Sequence, residues 1–97
     1  MSSEESLEAR FRRRFVTTAH ERIERLAEAI EQHDIPHVVF GFHQLAGDAF
    51  LLNWDAFGSA ARSGEREAIR WRQGQAEAVV ACQRALNAME RLLQQGD

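Results

Sequence analysis

The segment "IPHVVFGFHQLAGDAFLL" (residues 35–52) carries the periodicity that decides the fold. One set of its apolar residues recurs in steps of three and four: Ile35, Val38, Phe42, Leu45, Ala49 and Leu52. This spacing is typical of one face of an α-helix, and it predicts that the face is buried. At about 100° per residue, His43 lies well off the centre of that face. We therefore expect its side chain to point to solvent or to the edge of the buried face.

Three further helices are predicted by the same kind of spacing. The first runs from about Glu4 to Gln32, the third from Trp54 or Asp55 to Glu67 or Arg70, and the fourth from Gln73 to Gln95. Their inward-facing residues are Leu7, Phe11, Phe15, Ala19, Ile23, Leu26 and Ile30, then Phe57, Ala60, Ala61 and Gly64, then Val79, Cys82, Leu86, Met89 and Leu93. Short connections make consecutive helices antiparallel, so the sequence predicts an all-α, up-down antiparallel four-helix bundle, with residues 1–97 as one domain.

Local signals mark both ends of the second helix. Asp34 can cap its first turn, and Pro36 suits that turn because the missing N–H is not needed there. Asn53 can end the helix, since asparagine tolerates left-handed backbone geometry better than most residues. Gly47 lies in the middle, where glycine costs about 1 kcal/mol relative to alanine, so its presence needs an explanation.

Composition and charge narrow the function classes. The 97 residues include 12 basic and 15 acidic side chains, and this net charge of −3 argues against a general nucleic-acid binder. The single cysteine, Cys82, excludes an internal disulfide and fits a reducing compartment. The polar start "MSSEESLEARF" lacks the apolar core of a signal peptide, and no apolar run approaches the ~20 residues of a membrane span. We expect a cytoplasmic monomer that binds neither nucleic acid nor membrane.

His43 has unusual neighbours for a histidine on an outer helix face. Phe40 precedes it by one turn and Gly47 follows it by one turn, where a larger side chain would crowd the imidazole. Phe50 and Leu51 follow although other residues already fill the buried face. An accessible histidine within an exposed apolar patch indicates a docking surface, for which we name Phe40, Gln44, Phe50 and Leu51.

The run His43-Gln44-Leu45-Ala46-Gly47 resembles the His-x-Leu-(Lys or Ala)-Gly motif of histidine-containing phosphotransfer (HPt) domains. The similarity extends from about Phe15 to Leu93 and includes the acidic turn "AEAIEQHD" (residues 27–34) before the motif helix. The chain departs from the family pattern at three positions. Ala46 replaces a frequent lysine whose charge could help hold a phosphoryl group, Asn53 replaces a glycine, and Gly64 replaces a large apolar residue, which should loosen packing of the third helix.

The resemblance implies that His43 takes a phosphoryl group from an aspartyl phosphate on a receiver domain, or passes one to it. It places the phosphoryl group on Nε2, with Glu65 as the candidate acceptor for Nδ1–H, although Glu65 could equally be a solvated surface carboxylate. Gly47 would then provide access. The implied partners are response-regulator receiver domains and a (hybrid) histidine kinase. The resemblance implies that the chain has no cofactor of its own, because the receiver supplies Mg²⁺.

Other interpretations remain open at this point. There is no Gly-rich phosphate loop, so we expect a phosphoryl carrier without its own ATP site and not a kinase. The main alternative is a helical adaptor, or a degenerate HPt-like domain, that binds a kinase or receiver without phosphotransfer. The arginines of "RFRRRF" (residues 10–15) fit a solvated rim better than an anion site. The break at Pro36 argues against a metal pair of His33 and His37, and we expect no metal site.

Overall fold

The structure, a computed structural model, describes residues 6–95 and has four α-helices in that range. They are α1 (Leu7–Glu31), α2 (Ile35–Leu51), α3 (Asp55–Arg72) and α4 (Ala78–Gln95). Each helix packs against the helices before and after it, and α4 returns against α1. This arrangement confirms the predicted all-α, antiparallel four-helix bundle. No helix formed by the described residues is long and apolar enough to cross a membrane.

The first three helices end in the same capping motif. After α2, Asn53 adopts a positive φ of 61°, and the N–H of the next residue, Trp54, donates to the carbonyl of Ala49 at 2.9 Å. This is a Schellman motif, which satisfies carbonyls left free in the last turn. The prediction that Asn53 ends the helix is confirmed. The corresponding left-handed residues after α1 and α3 are His33 and Gly74.

Two predicted helix boundaries and one predicted cap differ from the structure. Gly74, with φ of 102°, ends α3 only after Arg72, and α4 therefore begins at Ala78 rather than Gln73. Asp34 occupies the N-cap position of α2, but its side chain makes no capping hydrogen bond. Its carboxylate instead contacts Nδ1 of His37 at 2.6 Å. The predicted start of the first helix at Glu4 lies outside the described residues.

Most residues predicted to face inward are buried in the middle of the bundle, and burial is less complete toward the helix ends. On α2, Val38, Phe42, Leu45 and Ala49 are fully buried. Four residues predicted to face inward, at helix ends or at the edge of a face, are only partly buried: Ile35, Leu52, Ala60 and Val79. Both tryptophans are buried, at opposite ends of the bundle.

The predicted burial of Leu7 and Phe11 is wrong. Their side chains are 59% and 45% exposed. The reason is length: α1 has 25 residues and α2 has 17, so α1 is about 12 Å longer and its first turns extend past the end of α2. Phe15 is the first α1 residue of the core, where its ring packs edge-on against the rings of Trp54 and Phe57.

Two glycines bring α3 close to α2. A Cβ placed on Gly58 would lie 2.8 Å from the ring of Phe50, and one placed on Gly64 would overlap the ring of Phe42. The expectation that Gly64 loosens the third helix is therefore wrong, because Phe42 fills the space that a side chain would occupy. The close approach of the two helices brings Glu65 of α3 next to His43 on the outer surface of α2.

Candidate functional site

His43 projects from the middle of α2 into solvent. Its side chain is 67% exposed, whereas Phe42 and Leu45, on the opposite, inward face of the helix, are fully buried. The outward position agrees with the one expected from the three-four spacing. A side chain in this place is accessible to a partner protein without any opening of the bundle.

Glu65 on α3 reaches across to this histidine. Its Oε2 lies 2.9 Å from Nδ1 of His43, and only 15% of the Glu65 side chain is exposed. A carboxylate at this distance can accept a hydrogen bond from Nδ1–H, and such a contact favours the tautomer with its proton on Nδ1 and its lone pair on Nε2. Nε2 makes no hydrogen bond or ion pair with the part of the chain that the structure describes.

Arg62, one turn before Glu65 on α3, lies beside the carboxylate that contacts His43. Its Nε lies 3.6 Å from Oε1 of Glu65, and its guanidinium lies 5.3 Å from the ring centroid of Phe50. Oε1 of Glu65 is buried and accepts no hydrogen bond from residues 6–95. Sequence reasoning did not name Arg62. Its spacing of three residues from Glu65, which places both on one face of α3, was the available signal.

Gly47 leaves an open surface beside His43. A Cβ built on Gly47 would have no neighbour within 4 Å, the imidazole included. The expectation that a side chain here would crowd the imidazole is therefore wrong for a methyl group. The next residue, Asp48, pairs with Arg22 of α1 at 2.6 Å and so ties α1 to α2.

Ala46 does not face the surface around His43. Its side chain is fully buried in the core. The lysine that many HPt motifs carry at this position would have to extend out of the core to reach the imidazole. The chain therefore lacks that cation, and Ala46 fills the space with a methyl group.

The structure distributes the predicted docking residues over two sides of α2. Phe40, 58% exposed, and the half-buried Gln44 line a cleft of about 300 Å³ between α1 and α2. Leu51, 83% exposed, borders a second cleft of about 270 Å³ with Phe11. Phe50 turns toward α3, where its ring covers Gly58 and remains 36% exposed. The four residues surround His43 along the helix without forming one continuous patch.

Cys82 lies in the core of α4 and is fully buried. Burial, with a smaller contribution from the charge of Glu67, raises the pKa of its thiol to about 11. A thiol that stays protonated and enclosed is a poor nucleophile. In residues 6–95 there is also no group of three or more His, Cys, Asp or Glu side chains placed to hold a metal ion.

A comparison with models of protein families matches residues 10–96 to the Hpt domain. The chain belongs to the Hpt domain family. HPt domains act in histidine phosphotransfer within phosphorelays, and the matched range contains both His43 and Glu65. The resemblance of the His43 motif is thereby confirmed at the level of the family. Searches among curated proteins and among solved structures gave no significant match.

Proposed function

We propose that this HPt protein carries a phosphoryl group on His43 between receiver-domain aspartates of a two-component phosphorelay. The observation that supports this function best is the exposed imidazole whose Nδ1 contacts the Glu65 carboxylate at 2.9 Å. That contact orients the ring and selects Nε2 as the nucleophile. Membership of the HPt family supports the same function.

The transfer step follows from this arrangement. The lone pair on Nε2 attacks the phosphorus of an aspartyl phosphate on the receiver, so that an N–P bond forms. The bond from phosphorus to the aspartate oxygen breaks, and the carboxylate leaves with the electron pair. The ring keeps its proton on Nδ1 and becomes positively charged. Glu65 stabilises that charge through its hydrogen bond, and the reverse step returns the phosphoryl group to a receiver.

The receiver and this chain each provide part of the groups that the transfer needs, so the site on this chain contains few of them. Phosphoryl transfer needs in-line positioning and neutralisation of charge more than covalent machinery. The receiver contributes Mg²⁺ and the acidic pocket, and this chain contributes the nucleophile. Its partners are response-regulator receiver domains and a (hybrid) histidine kinase in the cytoplasm. The protein acts as a monomer that neither binds ATP nor phosphorylates itself.

Docking of the receiver is assigned to the surface around His43. Phe40, Phe50 and Leu51 offer exposed side chains and Gln44 a half-buried one, on both sides of the histidine along α2. The open surface at Gly47 lets the receiver approach Nε2 closely. Phenylalanine is among the aromatic residues that are enriched at protein–protein interfaces.

An adaptor that binds a kinase or receiver without chemistry is the second candidate. The exposure of Phe40 and Leu51 favours it, because an apolar docking surface does not require phosphotransfer. Incubation with phosphorylated receiver domains from the same genome separates the two functions. Transfer of the phosphoryl group to this chain supports the relay. Binding of a phosphorylated receiver with no transfer to His43 selects the adaptor.

A further inference from the structure

We propose that Arg62 binds the phosphoryl group on His43 and neutralises part of its negative charge. This inference deepens the proposed function and rests on it. It assigns to α3 the positive charge that the motif helix lacks at Ala46.

Phosphorylation creates a local excess of negative charge at His43. A phosphoryl group carries a charge of roughly −1.5 to −2 near neutral pH. It would lie across the imidazole ring from the Glu65 carboxylate, which contacts Nδ1 at 2.9 Å. The positive charge of the ring offsets only part of this negative charge, so a further cation nearby would stabilise the phosphorylated form. Ala46, being buried and uncharged, cannot supply one.

The contacts of Arg62 place it at the required position. Glu65 joins the two side chains, since Oε2 contacts His43 Nδ1 at 2.9 Å and Oε1 lies 3.6 Å from Arg62 Nε. On the other side, the Arg62 guanidinium lies over the ring of Phe50. Arg62 therefore faces the part of α2 between His43, the partner of Glu65, and Phe50. Gly47 lies in that part of the helix.

Among the described residues, no hydrogen bond fixes the side chain of Arg62 in place. It is 48% exposed, and its 3.6 Å separation from Glu65 is too long for a hydrogen bond. Gly47 offers no side chain between Arg62 and His43, and a Cβ there would touch nothing within 4 Å. The guanidinium can therefore turn from the Phe50 ring toward phosphoryl oxygens, which it binds well through paired N–H donors.

Three other arginines, on α1 and α3, are less well placed. The chain contains no lysine, so the charge must come from an arginine. Arg22 is held by Asp48 at 2.6 Å on the α1 side of α2, and Arg70 is bound to Glu67 at 2.8 Å. Arg66 follows Glu65 directly and so projects about 100° away around α3.

The test uses phosphoramidate as a small phosphoryl donor, so that no receiver is required. His43 is phosphorylated in the wild type and in Arg62→Gln, Arg62→Lys and Arg72→Gln, and the phosphoryl group is titrated by ³¹P NMR. Arg72 is a matched control, an exposed arginine about 15 Å further along α3. Removal of a nearby cation should raise the phosphoryl pKa in Arg62→Gln by about 0.2 to 0.7 units, the size expected of an exposed ion pair. Arg62→Lys should restore most of the wild-type value, and Arg72→Gln should leave it unchanged.

Further readings distinguish charge from structure. The difference between wild type and Arg62→Gln should shrink in 1 M salt, which screens exposed charges, and thermal melts of the variants should coincide. An Arg62→Gln titration identical to wild type in low salt overturns the proposal while the relay function stands. A wild-type protein that forms no phosphohistidine at His43 overturns the relay function and this inference together.

Discussion

The carboxylate of Glu65 lies 2.9 Å from Nδ1 of His43 and connects α3 to the exposed face of α2. The two residues are 22 positions apart in the chain. Their contact depends on the close approach of the helices at Gly58 and Gly64, where the rings of Phe50 and Phe42 occupy the space of missing side chains. The orientation of the His43 imidazole therefore depends on how α2 and α3 pack.

Removal of the Glu65 carboxylate should slow phosphotransfer. Glu65→Ala leaves Nδ1–H without its acceptor and the positively charged ring without its counter-charge, which we expect to cost about 1 kcal/mol, or roughly fivefold in rate. Glu65→Gln keeps a carbonyl acceptor, so its transfer rate should lie between those of Glu65→Ala and the wild type. Glu67→Gln, on the same helix and paired with Arg70, is the control.

The tautomer of His43 distinguishes orientation from a general structural effect. ¹⁵N NMR of the ring should show the proton on Nδ1 in the wild type, and a mixture of tautomers in Glu65→Ala. A Glu65→Ala protein with the wild-type tautomer and the wild-type transfer rate would show that Glu65 is only a surface carboxylate.

Gly64→Ala should destabilise the fold. The new methyl group would overlap the ring of Phe42, which is fully buried and cannot turn aside. Overpacking of this kind costs about 1–3 kcal/mol. Chemical denaturation measures the loss, and the double variant Gly64→Ala/Phe42→Leu should recover part of it. Unchanged stability in Gly64→Ala would mean that α2 and α3 are not in such close contact.

The same substitution at Gly47 should have the opposite sign. The methyl group meets no neighbour within 4 Å, so Gly47→Ala gains helix propensity worth about 1 kcal/mol. Gly47→Gln should also fold well but obstruct the receiver and slow transfer. Denaturation midpoints and transfer rates of both variants test this. A Gly47→Gln protein that transfers at the wild-type rate would remove the role of Gly47 in access.

Cys82 should make stability fall at high pH. Its pKa is raised from 9.0 to about 11 by burial, so the unfolded chain releases the thiol proton first as pH rises. Unfolding between these values therefore releases a proton, and stability declines by about 2 to 3 kcal/mol across the window. Cys82→Ala should lose this part of the pH dependence. Parallel stability profiles of the two proteins from pH 9 to 11 would contradict the assignment.

Spacing within α2 predicted the central part of the fold because the apolar residues of a helix with one buried face recur every three or four positions. Val38, Phe42 and Leu45 are buried and His43 is exposed for that reason. The same spacing wrongly predicted that Leu7 is buried, because periodicity shows which face of a helix is apolar but not whether another helix covers it. The end of α3 was also misplaced, although Gly74 just after a run of helix formers is a typical terminus.

The site was less predictable than the fold because it depends on contacts between helices. Glu65 was named through family resemblance, and its distance from Nδ1 could not follow from spacing on either helix. Gly64 is ambiguous in sequence, since the same residue either leaves a gap or admits a ring such as Phe42. Arg62 was missed because its significance depends on Phe50 and Glu65 lying on either side of it.

The measurement that tests the central claim most directly is site-resolved labelling of the protein by a phosphorylated cognate receiver with Mg²⁺. Mass spectrometry should place a single phosphoryl group on His43, stable in base and lost in acid. His43→Gln should abolish labelling with an unchanged circular dichroism spectrum, because the side chain is 67% exposed. His20→Gln, a change to another exposed histidine, should label normally, and ATP with Mg²⁺ alone should give no label. Phosphate that still appears on His43→Gln, or a wild type that no receiver labels, would contradict the account.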